Sequence, residues 1–320
     1  MRLILLFVTG VLVSALLVAA SAYRRDMAIA GAAADAPSRL LDGPDGTIEY
    51  ADTGRGSPVL MIHGSGGGFD QGLAFAGPLT EAGFRVIAPS RFGYLRSVMP
   101  QAASPERQAD AFAFLLDAVG VDQAVVVGGS AGALSATQFA IRHPSRCRAL
   151  ILVVPASYAP DRPAGTNAAP AAWPVIKAAL GSDMLFWAAI RMAPAFMTRM
   201  VLATDPALLE AAGEAERQRV RNMLFHVLPV SRRKAGLLMD MATAGDPPPH
   251  PLETITCPVL AISAKDDLYG TAAAARHIAA RAPDARLLLF DDGGHMLVGH
   301  DAAMWRAVLD FIEASGGGNR

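Results

Sequence analysis

Serine is a poor nucleophile at neutral pH until a histidine takes its proton, and that histidine needs a carboxylate to fix its tautomer. The sequence holds all three residue types in an order that suits them to act together. Ser130 is the centre of Gly128-Gly129-Ser130-Ala131-Gly132, directly after the apolar run Ala124 to Val127 and directly before the helix-like stretch Ala131 to His143. A strand that reverses into a helix within a residue or two strains its central residue and pushes that side chain into the open, as in a nucleophile elbow. Small flanking residues let strand and helix approach, which accounts for Gly128 and Gly132. Of the seven histidines, only His295 stands in a Gly-rich loop straight after a terminal strand, in Asp291-Asp292-Gly293-Gly294-His295. The acid should end the preceding strand, where Ala264-Lys265-Asp266-Asp267 offers two carboxylates.

Acyl transfer by such a set builds negative charge on an oxygen, and preorganised N–H donors must meet it. The N–H of Ala131 is one candidate, because it opens the helix after Ser130, where the helix dipole favours negative charge. The second should come from the loop after the strand Val59 to Ile62, which reads His63-Gly64-Ser65-Gly66-Gly67-Gly68. His63 itself is expected to be structural, since that loop needs its backbone rather than an imidazole. This chemistry requires no metal and no organic cofactor.

The elements that would position these residues alternate. Thr47 to Ala51, Val59 to Ile62, Arg85 to Ala88, Ala124 to Val127 and Ala149 to Val154 read as strands, separated by helices at Gln71 to Ala82 and from Pro105 to about Val119, the latter capped by Ser104. Strands of continuous Val, Ile and Leu between helices indicate an α/β fold with a parallel sheet covered on both faces. Between Pro155 and Pro251 the rhythm stops, and only helical stretches appear, such as Asp205 to Leu228. It resumes with strands at Val259 to Ser263 and Leu287 to Phe290 and a final helix, Ala302 to Ala314. A helical insert between two strands of one sheet reads as a lid. The expected organisation is an N-terminal apolar segment over residues 1–25, an Ala-rich linker at 26–38, a core at 39–155, a lid at 156–251 and the rest of the core at 252–315. Several of the 13 methionines, among them Met184, Met197 and Met223, fall in the lid beside Trp173, Phe186 and Trp187. They suit either an adaptable apolar pocket or simple packing.

At 320 residues and 52% hydrophobic, the chain has enough apolar material for a large core. Its net charge of −1 gives no basic field for phosphates, so nucleic acid is excluded as a partner. From Leu3 to Tyr23 no residue is charged, with Arg2 before and Arg24 and Arg25 after. That run is long enough for a single-pass membrane anchor. Ala20-Ser21-Ala22 also resembles a signal-peptidase site, so a cleaved export signal is the competing reading, and the core would be membrane-anchored or exported. Cys147 and Cys257 each precede a strand and lack metal-ligand spacing. They are expected to be buried thiols, with a disulfide as the alternative if the two strands are neighbours.

With these residues in place, the chain resembles the α/β-hydrolase superfamily over about Thr47 to Ala156 and Thr254 to Ala314. The resemblance is to lid-bearing serine hydrolases of the esterase and lipase kind, with partial likeness to the meta-cleavage product hydrolases, which break carbon–carbon bonds. It implies Ser130 as nucleophile, His295 as base and Asp267 as the acid, since Asp267 falls one helix and one strand before His295; Asp266 is the fallback. The His-Gly-x-Gly run looks like the superfamily's oxyanion loop, which implies Ser65 as second donor, with Gly66 as the neighbour able to replace it. Carbon–carbon hydrolases tend to have Asn before the serine and Trp after the histidine, where this chain has Gly129 and Met296. That departure favours ester hydrolysis, and the lid methionines together with the N-terminal apolar run point to a small, apolar carboxylic ester as substrate. A non-hydrolytic or noncatalytic member of the fold is the further alternative.

Overall fold

The computed structural model describes residues 2–162 and 177–317. Its centre is an eight-stranded sheet formed by β1 (Arg39–Gly43), β2 (Gly46–Thr53), β3 (Pro58–Ile62), β4 (Arg85–Pro89), β5 (Ala124–Gly129), β6 (Cys147–Val153), β7 (Val259–Ala264) and β8 (Ala285–Phe290). The strand order is β1-β2-β4-β3-β5-β6-β7-β8. β1 and β2 are antiparallel to their neighbours, whereas β4 to β8 run parallel. β5 lies in the middle, so its C-terminal end opens at the centre of the sheet edge.

Each central strand buries both faces. Leu60, Ile62 and Val126 face α4 (Pro105–Ala118) and α5 (Gly132–Arg142), while Val59, Met61, Val125 and Val127 face the opposite layer. That layer contains Leu79 and the C-terminal helix residues Met304, Trp305 and Val308. Complete burial on both sides explains why these strands read as unbroken apolar runs, each such side chain contributing about 1.5–3 kcal/mol. Ser104 caps α4 as expected, accepting from the Arg107 N–H at 3.3 Å.

Two expected helices are broken in the folded chain. The stretch after β3 forms α2 (Phe69–Phe75) and α3 (Gly77–Glu81), because Pro78 has no N–H to continue the ladder of α2. Asp205 to Leu228 divides into Pro206–Ala211 and Glu214–Phe225 at Gly213, a poor helix former.

Helices occupy the chain between β6 and β7 among the described residues: α6 (Asp183–Met192), α7 (Pro194–Val201), α8 (Pro206–Ala211), α9 (Glu214–Phe225) and α10 (Lys234–Thr243). Trp173 lies outside the described residues. Phe186, Trp187, Ile190, Met197, Val220 and Leu224 form an apolar cluster of their own within this insert. Beyond β7 come α11 (Thr271–Arg281) and, after β8, α12 (Asp301–Ile312).

The N-terminus departs from expectation. α1 (Arg2–Ala34) is a single helix, so residues 26–34, read as linker, are helical. Alanine is the best helix former, and its small side chains conceal a docking face that hydrophobic periodicity does not reveal. Asp26, Ala30 and Ala34, spaced four residues apart, are buried, whereas Ile4 to Val18 are exposed. Asp26 accepts from Trp187 Nε1 at 2.7 Å and Arg191 Nε at 3.0 Å, which ties α1 to α6. The apolar part of α1 has a mean hydropathy of 2.5 and is long enough to cross a membrane. β1, which no alternation marked in advance, closes the sheet edge after this helix. Cys147 and Cys257 are both buried free thiols, with their Sγ atoms 3.5 Å apart.

Candidate functional site

Ser130 connects β5 to α5 with φ +50°, a left-handed conformation that costs a non-glycine residue strain. The packing around it compels that turn. A Cβ on Gly132 would stand 2.5 Å from the His63 carbonyl oxygen and 2.6 Å from that of Ile62, and one on Gly128 would stand 2.6 Å from Ala136 Cβ. Gly129 is different, for a Cβ there would meet nothing within 4 Å. The strained backbone is held by the Ser130 N–H donating to the Val153 carbonyl at 2.9 Å, and by the Ser130 carbonyl accepting from the N–H groups of Ala133 and Ala156.

The three residue types singled out in the sequence meet at the C-terminal edge of the sheet. Ser130 Oγ is 3.0 Å from His295 Nε2, and His295 Nδ1 is 2.8 Å from Asp267 Oδ2. A carboxylate accepts only, so Nδ1 carries the proton and Nε2 is left to accept a hydrogen bond from the Ser130 hydroxyl. Asp267 and His295 are both buried. Asp267 also accepts from the Tyr269 N–H at 2.8 Å and from the Thr271 hydroxyl, which fixes both of its oxygens. The Tyr269 ring stands edge-on to the imidazole, with centroids 5.0 Å apart. Burial, reinforced by the Asp267 charge, pushes the Tyr269 hydroxyl up to about 12, so it remains neutral.

Asp266 does not reach the histidine. Its carboxylate accepts from the N–H groups of Gly293 at 3.2 Å and Gly294 at 2.8 Å, and so shapes the loop that presents His295. Adjacent acids thus have separate tasks, because successive residues beyond a strand end point in different directions.

The loop after β3 lies against the elbow. A Cβ on Gly64 would be 3.1 Å from Ser130 Cβ. Ala131 precedes the first residue of α5, where N–H groups have no helical acceptor. The N–H of Gly66 is engaged, donating to Tyr94 Oη at 3.2 Å, which removes it as a replacement for Ser65. His63 is buried away from the Ser130 contact: its Nδ1 meets the Gly64 carbonyl at 2.7 Å and its Nε2 accepts from the Arg91 N–H at 2.9 Å. Both bonds require the neutral ring, and burial together with the Arg91 charge holds its pKa well below 6.5. Sequence reasoning missed Arg91, Tyr94 and Asp240, which form a buried hydrogen-bonded set beneath this loop.

Ser130 and His295 open into a cavity of about 120 Å³ lined by apolar side chains, among them Val153, Val201, Leu202, Met223 and Val227. Among the described lining residues the permanent cation is Arg219, which is paired with Glu216 and stands 3.7 Å from Asp301. No group of three or more His, Cys, Asp or Glu residues suited to a metal occurs among the described residues.

A protein-family model described as alpha/beta hydrolase fold matches residues 57–301. A 2-hydroxy-6-oxo-6-phenylhexa-2,4-dienoate hydrolase of Burkholderia cepacia is 29% identical over 273 residues, covering 83% of this chain and 91% of that protein. Among solved structures, an alpha/beta hydrolase fold protein from Nakamurella multipartita superposes with a TM-score of 0.67 at 27% identity, covering 88% of this chain and 99% of the other. A thermophilic esterase from Thermogutta terrifontis shares the fold, with a TM-score of 0.62, 23% identity and coverage of 88% and 99%.

Gly132→Val should abolish soluble folded protein, whereas Gly129→Ala should change stability by no more than about 1 kcal/mol in urea unfolding; equal effects would contradict the packing described. His63 is neutral when folded but titrates near 6.5 when unfolded, so the unfolded state binds more protons below that pH. Stability should therefore fall as pH drops below about 6.5, by at most about 1.4 kcal/mol per pH unit from this group. His226 and His250 are also held low by burial, so His63→Gln should lessen that decline rather than remove it, and an unchanged slope would show that His63 does not contribute to it.

Proposed function

Since the chain belongs to the alpha/beta hydrolase fold family and is a hydrolase, we propose that it cleaves a small apolar carboxylic ester through an acyl-enzyme on Ser130. The observation that carries this reading is the unbroken contact from Ser130 through His295 to Asp267, opening into an apolar cavity. Ser130 Oγ attacks the ester carbonyl while His295 Nε2 takes its proton, and Asp267 steadies the imidazolium that forms. The N–H groups of Ser65 and Ala131 receive the oxyanion. His295 returns the proton to the leaving alkoxide, which departs as the alcohol. Water then attacks the acyl group by the same route and frees the acid.

The cavity supports the choice of acyl group. Its volume of about 120 Å³ is close to that of an engineered cavity of about 150 Å³ that accepts benzene. A short acyl chain fits, and its carbonyl would lie at Ser130. The likeness to a dienoate hydrolase favours a second reading, hydrolysis of a carbon–carbon bond, and the open space at Gly129 would admit the Asn that such enzymes tend to have. A dienoate, however, carries a carboxylate, and Arg219 is already committed to acidic partners. Ester hydrolysis is therefore preferred.

In this reading the charge-free part of α1 anchors the enzyme in a membrane, and the helical insert is its lid. The length and hydropathy of α1, and its junction with α6 at Asp26, support that arrangement.

Nitrophenyl esters of graded acyl length test the proposal. Turnover should be best with acyl chains of roughly two to four carbons, a fit set by cavity volume, and Ser130→Ala should lower kcat by about 10⁴-fold or more with the fold intact. A folded enzyme that turns over none of these esters but hydrolyses a 2-hydroxy-6-oxo-dienoate would replace the ester reading with the carbon–carbon one.

A further inference from the structure

We infer that Asp240, on α10 of the insert, is a positioning residue for the oxyanion loop, so that the insert holds the Ser65 N–H where the transition state needs it. The inference rests on the proposed role of Ser65 and adds what sets its geometry.

Asp240 is buried and lies beneath residues 63–66. It accepts from Ser65 Oγ at 2.9 Å, from Arg91 Nη1 at 2.9 Å, from a second Arg91 nitrogen and from the Tyr94 hydroxyl. Arg91 and Tyr94 then reach the loop's other residues. The Arg91 N–H donates to His63 Nε2, Arg91 Nη2 points to the Gly64 carbonyl at 3.4 Å, and Tyr94 Oη accepts from the Gly66 N–H. Each residue from His63 to Gly66 is thus bonded to Asp240 directly or through one intermediary. Burial and the Asp240 charge raise the Tyr94 hydroxyl well above its ordinary value, so it keeps the proton that it donates.

The same helix secures the far end of the loop. Arg233, which immediately precedes α10 and is fully buried, donates to the Gly67 carbonyl and pairs with Asp70 at 2.7 Å. Two buried ion pairs therefore tie α10 and the residue before it to the loop after β4, through Arg91, and to α2, through Asp70. Buried pairs of this kind repay little more than their own desolvation, and apolar residues of equal size would often stabilise as well. What they add is direction, which an oxyanion donor requires, since donor distances of roughly 2.7–3.1 Å must be met without rearrangement. Ser65 is the residue where this set and the proposed oxyanion donor coincide: its side chain is held by Asp240 while its N–H is left to the substrate.

Ser65→Ala and Tyr94→Phe test the inference without leaving a buried charge unpaired, and Asp240→Asn tests it at the source. Ser65→Ala keeps the N–H and removes only its tether. In each variant kcat on the best ester should fall by about 10- to 100-fold, the effect of misplacing a catalytic group by an ångström or less. KM should stay within about two-fold, and the affinity for an alkyl boronic acid, which mimics the tetrahedral adduct, should fall in parallel with kcat. Amide hydrogen exchange over residues 63–68 should quicken. Wild-type kcat and boronic acid affinity in both Ser65→Ala and Tyr94→Phe would overturn the inference, as would a change confined to KM. If Asp240→Asn does not fold, the other two variants decide. If the wild-type enzyme turns over no ester and binds no boronic acid, the hydrolytic reading of Ser65 fails. Exchange over residues 63–68 then still decides the positioning: faster exchange in the variants supports it and unchanged exchange refutes it.

Discussion

The close approach of β5, α5 and the loop after β3 is the constraint on which the site depends. Atoms of that loop's backbone come so near Gly132 that no side chain fits, and Gly128 is equally hemmed in by Ala136 and Ala133. Chain reversal in so little space leaves Ser130 in a left-handed conformation, with its hydroxyl at the sheet edge rather than within it. The central position of β5 then puts that hydroxyl between contributions from both sides. β7 and β8 send Asp267 and His295 from one side, and β3 sends residues 63–66 from the other. The parallel order of these strands makes all of the contributions arrive at one edge.

The site also depends on residues that touch no reacting atom. Asp266 and Thr271 illustrate this around the acid: one shapes the histidine loop and the other occupies Asp267. Apolar surroundings strengthen each of these hydrogen bonds and make an unpartnered group costly, which favours fully satisfied clusters over isolated polar residues. The insert belongs to the same system. It lines the cavity through Val201, Leu202 and Met223, docks α1 through Trp187 and Arg191, and reaches the loop after β3 through Asp240.

Much of this architecture was legible in the sequence because local rules govern it. Continuous apolar strands, the Ser104 cap and the glycines around Ser130 each reflect constraints acting over a few residues. The long-range hydrogen bonds were not legible. Asp240 lies 149 residues from Arg91 and 175 from Ser65, in a helical stretch where an acid ordinarily faces solvent. The helical course of residues 26–34 was hidden for a different reason: alanines dock without producing an apolar stripe. The choice between Asp266 and Asp267 was also beyond periodicity, since it turns on where each side chain points once β7 has ended.

In the proposed reaction Ser130 carries the acyl group during turnover. Acid quenching of the enzyme within the first turnover of a slowly deacylating short-chain ester, followed by peptide mass mapping, tests it most directly. An acyl mass increment is expected on the peptide containing Ser130, absent from the Ser130→Ala protein. Turnover with no increment at Ser130, or an increment on another residue that survives that substitution, would contradict it.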